Sequence, residues 1–387
     1  MLKNIVKYIS LIMLSILVSV NNLNCAMQEV APLINDDLKM ACERGDIINV
    51  QELIDQGINI DAKDRDGYTA LMLASCHTNN GSSEEIVRIL APITDCNIQN
   101  INGDTALILS ATKSNTTSTN ETVRILTKYS DPNIKNYAGC TALMLASRYS
   151  RTDSTNETIK ILAPITDCNI KHTTGYTALM FAAIYSNTES TEDTVSILTP
   201  LTDCNIRDDN GQTALMLASM TSNTNSTFGT VKILAQYTDC NIKDSDGFTA
   251  LMIASTFANT TSNEETVRFL ASLTDCNIKD NLGRTALMLA STFSATDSTE
   301  ETVRILAPLT DCNIKNDQGY TALMLASMLA PSTSTVDTVR ILAPLTDCNI
   351  KNKEGRTALM MATRYSNTFS TEETVKILAP LTKDRKS

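Results

Sequence analysis

The tripeptide Thr-Ala-Leu recurs nine times at intervals of 36 residues, starting at Thr69, Thr105, Thr141, Thr177, Thr213, Thr249, Thr285, Thr321 and Thr357. A glycine stands two positions before each copy, from Gly67 to Gly355, and no insertion breaks the register. A fixed period in this range specifies a stacked solenoid, because each short unit can bury its apolar face only against its neighbours. The 387 residues are therefore expected to form one elongated array instead of several globular domains.

One unit, Asp275 to Leu306, shows how the chain should fold locally. Asp-Cys-Asn-Ile-Lys reads as extended and meets the polar turn Asp280-Asn281-Leu282-Gly283, where glycine permits a positive φ. Thr285 is placed to cap a first helix, and the small and apolar run Ala286 to Ser291 lets that helix pack closely on its neighbours. A polar segment follows, then a second helix with Val303, Ile305 and Leu306 on its apolar face. Ser298 and its equivalents are followed three residues later by Asp or Glu in eight of nine repeats, Gly229 being the departure. That spacing predicts a capping box at the second helix. Six of these helices then meet a proline, which cannot continue the hydrogen-bond ladder.

The pattern Asp-x-x-Gly-x-Thr-Ala-Leu-Met-x-Ala, a Val-Arg-Ile-Leu second helix and a closing Asp-Cys-Asn-Ile together resemble the ankyrin repeat. Alanine takes the place of the usual proline and methionine that of the usual histidine, and a Ser/Thr/Asn-rich insert lengthens the unit beyond the common 33 residues. The resemblance implies an all-α repeat fold, an ankyrin-type α-solenoid of helix pairs joined by short β-turn or hairpin connections. Residues 36–66, without the insert, are similar to an N-terminal capping unit; residues 67–382 hold the nine repeats, and 383–387 a short tail. No C-terminal effector domain is expected.

The first 26 residues differ from the rest. Lys3 and Lys7 precede an apolar run from Ile9 to Val20, then come Asn21, Asn22, Asn24 and Cys25-Ala26. This is the layout of a secretory signal peptide, followed by a linker at 27–35, so the chain is expected to be secreted or extracytoplasmic. The alternative is an anchor through residues 9–20, although that run falls short of the roughly 20 residues a membrane-spanning helix needs. Asn24 is a poor residue at a cleavage site, and Leu23-Asn24 suits lipid modification of Cys25 badly. The net charge of −11, with no basic run before the last five residues, argues against nucleic acid as a partner.

Cysteine and methionine repeat with the framework. Seven of eleven cysteines share one repeat position, namely Cys96, Cys168, Cys204, Cys240, Cys276, Cys312 and Cys348. Repeats spaced at roughly 8–10 Å exceed the roughly 7 Å Cα limit for a disulfide, and no zinc-type spacing occurs. These cysteines, like Met72, Met144, Met180, Met216, Met252, Met288, Met324 and Met360, are expected to fill the core. The two histidines, His77 and His172, hold non-equivalent positions, and no catalytic or nucleotide-binding motif appears. A non-enzymatic chain without cofactor or metal is expected. Six Asn-x-Ser/Thr sequons, at Asn80, Asn115, Asn120, Asn156, Asn225 and Asn259, fall in the inserts and read as solvated loops with glycan attachment as the alternative.

Comparing the repeats with one another separates framework from freedom. The most variable positions include the two residues before each glycine, the one after it, and the two after the first helix. In ankyrin proteins such turn tips and helix ends line a concave face that binds proteins. The post-glycine row supplies Tyr68, Tyr176, Phe248, Arg284, Tyr320 and Arg356; the helix-end row supplies Tyr149, Tyr185, Phe257, Phe293 and Tyr365. Aromatic residues and arginine are favoured binding anchors, and aromatics make up only 4% of this chain. The competing reading is that Tyr149, Tyr185, Phe257 and Phe293 pack beneath the inserts. A monomeric protein-binding scaffold is the expectation, its partner unknown and a host protein among the candidates. A spacer rod is the alternative.

Overall fold

The computed structural model of the protein describes residues 33–76, 82–330, 332–365 and 372–382. The expected signal (1–26) or anchor (9–20), linker residues 27–32, the tail 383–387, His77, Asn80 and Ser370 lie outside the described residues. Within them the chain forms twenty α-helices in successive pairs, opened by Asp36–Arg44 and Ile47–Asp55. The first helices of the following pairs are Ala70–Cys76, Ala106–Thr112, Ala142–Arg148, Ala178–Tyr185, Ala214–Met220, Ala250–Thr256, Ala286–Phe293, Ala322–Leu329 and Ala358–Tyr365. The second helices are Ser82–Leu90, Asn120–Leu126, Asn156–Leu162, Glu192–Leu198, Phe228–Ala235, Glu264–Ala271, Glu300–Leu306, Val336–Leu342 and Glu372–Leu378. Each helix packs on its partner and on the corresponding helix of the next repeat, as a solenoid requires. The fold is all-α; among the described residues the only β pairing is the isolated Leu33–Lys63 bridge. No described helix is long and apolar enough to cross a membrane.

The first helix is buried on every side because it lies between two neighbours. Ala286, Leu287, Met288, Leu289, Ala290 and Ser291 are all at most 2% exposed. Thr285 caps this helix as expected, its Oγ1 accepting from Met288 N at 3.4 Å, and the eight other repeats carry the same cap. Met288 and its internal equivalents are about 1% exposed, whereas Met360, on which no further described pair packs, is 51% exposed. Burial of these side chains against the next repeat is what couples the units.

The capping box at the second helix is not formed. The helix begins at Glu300, and its cap is Thr299, whose extended backbone (φ −134°, ψ 158°) lets Oγ1 accept from Thr302 N at 3.1 Å. Thr119, Thr155, Thr191, Thr227 and Thr335 do the same, and Asn263 takes the place of threonine in one repeat. Ser298 lies one residue outside the helix, buried, and donates to the Ser255 carbonyl of the preceding repeat at 2.7 Å. Its sisters join buried hydroxyl trios across the repeat boundary, such as Ser150–Ser190 at 3.1 Å and Ser150–Thr194 at 2.6 Å. The acid at i+3 sits in the first helical turn, where it favours the helix dipole and pairs outward, Glu301 with Arg268 and Arg304.

The six α-helices that meet a proline end two residues ahead of it, as expected where the hydrogen-bond ladder cannot continue. At Pro200, Pro308 and Pro344 the chain tightens into a 3₁₀ turn directly after the helix. The inserts are ordered and joined: Asn187 donates from its backbone N to Asn225 O at 2.9 Å and from Nδ2 to Thr224 O at 2.8 Å, and the pattern repeats along the array. Sequon residues share in it, Asn115 and Asn259 donating from Nδ2 to Thr152 O and Thr296 O at 2.8 Å. The insert tips, residues 115–117, 223–225 and 259–260 among them, remain exposed to solvent.

Candidate functional site

The variable positions are displayed by a turn that an Asp or Asn side chain builds in every repeat but the fourth, where His172 takes its place. In repeat six the Asp244 Oδ1 accepts from Asp246 N at 3.0 Å and from Phe248 N at 2.8 Å, while Asp244 N donates to Phe248 O at 2.9 Å. Gly247 adopts φ +86°, and a Cβ there would come 2.6 Å from Asn281 N of the next repeat. Neighbouring turns are that close because they are bonded in series, Asn281 N donating to Asp246 O at 3.1 Å and Asp317 N to Leu282 O at 3.1 Å. The glycine therefore meets a conformational and a steric demand at once, and the residue after it is fixed in place by its own backbone.

All eleven candidate residues are half-buried. In the post-glycine row Phe248 lies beneath the Arg284 guanidinium at 5.5 Å, and Arg284 is itself held by Asp280 at 2.7 Å. Tyr176 meets Phe181 edge-on at 5.5 Å, and His172 meets the same ring at 5.6 Å. Tyr68 and Tyr320 occupy the same register and pack against the core, and Arg356 pairs with Glu354.

In the helix-end row Arg148 is stacked between two candidates, 5.1 Å from the Tyr149 ring and 4.7 Å from the Tyr185 ring, with its Nε 2.9 Å from Glu189. Burial opposes the charge on Arg148, but the hydrogen bond and charge of Glu189, with the two tyrosines, together outweigh it and raise the guanidinium pKa. Tyr149 and Tyr185 are thus partly occupied by the protein's own cation. Tyr185 and Phe257 also pack against the core. Phe293 ends its helix half-buried, and Tyr365 lies 5.9 Å from Arg364.

Two residues of the surface were not singled out by type. Ile101 and Tyr137, at equivalent turn tips of adjacent repeats, are 59% and 73% exposed. Their signal was present in the variability of the two positions before glycine. What the sequence could not show is that the Tyr137 ring leans over Gly103, where a Cβ would meet Cδ1 at 2.7 Å.

The ten described cysteines are free, and among the described residues no group of three His, Cys, Asp or Glu could hold a metal. The repeated thiol donates to a carbonyl five residues earlier, Cys96 Sγ to Ala91 O at 3.3 Å, and burial raises its pKa. A cavity of about 330 Å³ beside the opening helix pair is lined largely by charged groups, among them Lys39 and Asp64, which pair at 2.9 Å.

A family model for ankyrin repeats, built as three copies, matches the chain in overlapping segments at residues 14–94, 77–166, 153–227, 187–280, 221–308, 258–342 and 293–386. A search of curated proteins gives no match.

Proposed function

Because the chain belongs to the ankyrin-repeat family, whose arrays generally serve as protein-interaction modules, we propose that it is a non-enzymatic scaffold holding one protein partner across several repeats. The partner lies along the turn tips and first-helix ends, on the concave face of the array. The chain acts as a monomer, exported by its first 26 residues, so that its partner is met outside the cytoplasm.

One observation carries this reading. Sequence variation between repeats collects in rows whose side chains are half-exposed, while the framework beneath them barely changes. A spacer, roughly 90 Å long if its nine units rise about 10 Å each, gains nothing from such rows. An adaptor needs them, because aromatic and arginine anchors held by a rigid base contribute most of the energy of an interface. The most exposed apolar tips, Ile101 and Tyr137, adjoin the repeat that contains Tyr149 and Arg148.

The test is combined replacement of Tyr176, Phe248 and Tyr320 by serine. Partner capture should weaken while melting remains cooperative and the helical signal is unchanged. Undiminished capture with intact folding would remove this surface from consideration and favour the spacer.

A further inference from the structure

In eight of the nine repeats the Asp or Asn that builds the tip gives Oδ1 to the backbone of its own turn and leaves a second polar atom to be satisfied elsewhere; in repeat four His172 takes this place with Nδ1. Asp64 Oδ2 receives Lys39 Nζ at 2.9 Å, and Asp280 Oδ2 receives Arg284 Nε at 2.7 Å. At Asn136 the equivalent Nδ2 donates to Asp104 Oδ1 of the preceding repeat at 2.8 Å.

Asp208 breaks this pattern. Its Oδ1 accepts from Asn210 N at 2.9 Å and Gln212 N at 2.7 Å, but its Oδ2 is buried and has no partner among the described residues. The residue is 6% exposed. Where Arg284 supplies a cation to Asp280, the post-glycine residue here is the neutral Gln212. Arg207 is turned to the Gly211 carbonyl, 2.9 Å from Nε. Asp209, Asp244 and Asp246 add negative charge on the same and the next turn. The Nδ2 atoms of Asn100 and Asn352 also lack partners, but a neutral amide costs far less to bury than a carboxylate.

We propose that Asp208 seats a cationic side chain of the protein partner, a lysine ammonium or an arginine guanidinium, in the position that Lys39 and Arg284 fill at the sister sites; this rests on the scaffold reading above. The cation reaches Oδ2 by displacing the half-exposed side chain of Tyr176 of the preceding repeat, whose phenol pKa is raised by burial and then by the charge of Asp208. Fewer than three ligating groups converge there, so a side-chain cation fits the site better than a metal ion. The partner is accordingly expected to present a basic segment to repeats four to six.

The slot can be tested without knowing the partner. Full-length protein with ¹³C-labelled tyrosine rings is titrated with N-acetyl-arginine amide and with its neutral analogue N-acetyl-citrulline amide, with the Tyr176 resonance assigned by Tyr176→Phe. The arginine probe should shift that resonance saturably and the citrulline probe should not. Asp208→Asn should weaken the response roughly tenfold or more, through loss of a charge-assisted hydrogen bond, whereas Asp244→Asn should change it less than about twofold, because that half-buried carboxylate is engaged by the backbone of its own turn. Asparagine occupies the equivalent site at Asn100, Asn136, Asn316 and Asn352, so the variant keeps its turn. Absence of a saturable shift, equal response to citrulline, or an unchanged response in Asp208→Asn would overturn the slot. The serine replacements at Tyr176, Phe248 and Tyr320 judge the wider binding surface separately.

Discussion

The Glu192 carboxylate lies over Gly229 of the following repeat, where it accepts a hydrogen bond from Thr227 Oγ1 and fills the space that a Cβ on residue 229 would need. Gly229 is the one residue that departs from the acid found at this place in the other repeats. Glu192 brings an acid to the start of helix Phe228–Ala235, as Glu84 and Glu264 do in repeats that also keep their own acid. Gly229→Glu, which restores the pattern, should cost no more than about 1 kcal/mol, because the Glu192 carboxylate is the far end of an exposed side chain and can move aside. Adding Glu192→Ala should recover most of the loss. Urea unfolding of both single variants and the double variant measures the coupling; simple additivity would show that the two residues do not compete for that space.

The caps offer a comparison between adjacent hydroxyls. Thr299→Ala should cost about 1 kcal/mol by leaving a helix-terminal N–H without its acceptor, and Thr299→Asn should restore it because Asn263 does this work in a neighbouring repeat. Ser298→Ala should cost about 0.5–1.5 kcal/mol by losing the bond to Ser255, and Ser298→Asn should not rescue it in that buried site. Chemical denaturation distinguishes the two, and rescue at 298 but not at 299 would return the cap to serine.

Burial should govern the thiols as well. The pKa values of Cys42 and Cys76 are pushed up to about 12 by desolvation, and the repeated cysteines shift in the same direction. Only the thiolate reacts. The folded protein should therefore leave its described cysteines unmodified by an aromatic disulfide reagent at about pH 8, below the ordinary thiol value, and unfolding should release them together. Rapid labelling of the native protein would contradict a packed cysteine ladder.

Asp208 gives a stability prediction with a definite sign. Burial raises its folded-state pKa above the ordinary carboxylate value, so the folded form binds the proton more tightly than the unfolded form. The cost of the buried carboxylate is absent below the ordinary value and fully present above the raised one. Asp208→Asn should therefore stabilise the protein at neutral pH relative to wild type, and the gain should shrink as the pH falls through that window. A gain independent of pH, measured by thermal unfolding in a buffer series, would mean the carboxylate is already compensated.

The sequence makes the architecture plain because a solenoid writes one local solution many times. Thr285 as a cap, Met288 as core and Gly247 at positive φ all follow from residue type and register. Its failures lie where a side chain has two partners within reach. Serine three residues before an acid satisfies the capping-box pattern, yet Ser298 turns to Ser255 because Thr299 is better placed for the cap. The polar inserts are exposed at their tips, but their type does not show that their backbones bond one repeat to the next. The binding rows were legible as variability, but the stacking of Arg148 between Tyr149 and Tyr185, and the missing cation at Asp208, depend on contacts between repeats that a single unit does not encode.

The most direct measurement of the scaffold reading is site-specific photocrosslinking in the native host. A photoreactive amino acid is placed at Tyr176, Phe248 or Tyr320, and in a parallel set at Leu309, an exposed position after a second helix that is 52% accessible. Adducts to one protein partner from the first three positions and none from Leu309 are predicted. Adducts from Leu309 alone, or equal and scattered labelling from all four, would contradict a partner held on the turn-tip face.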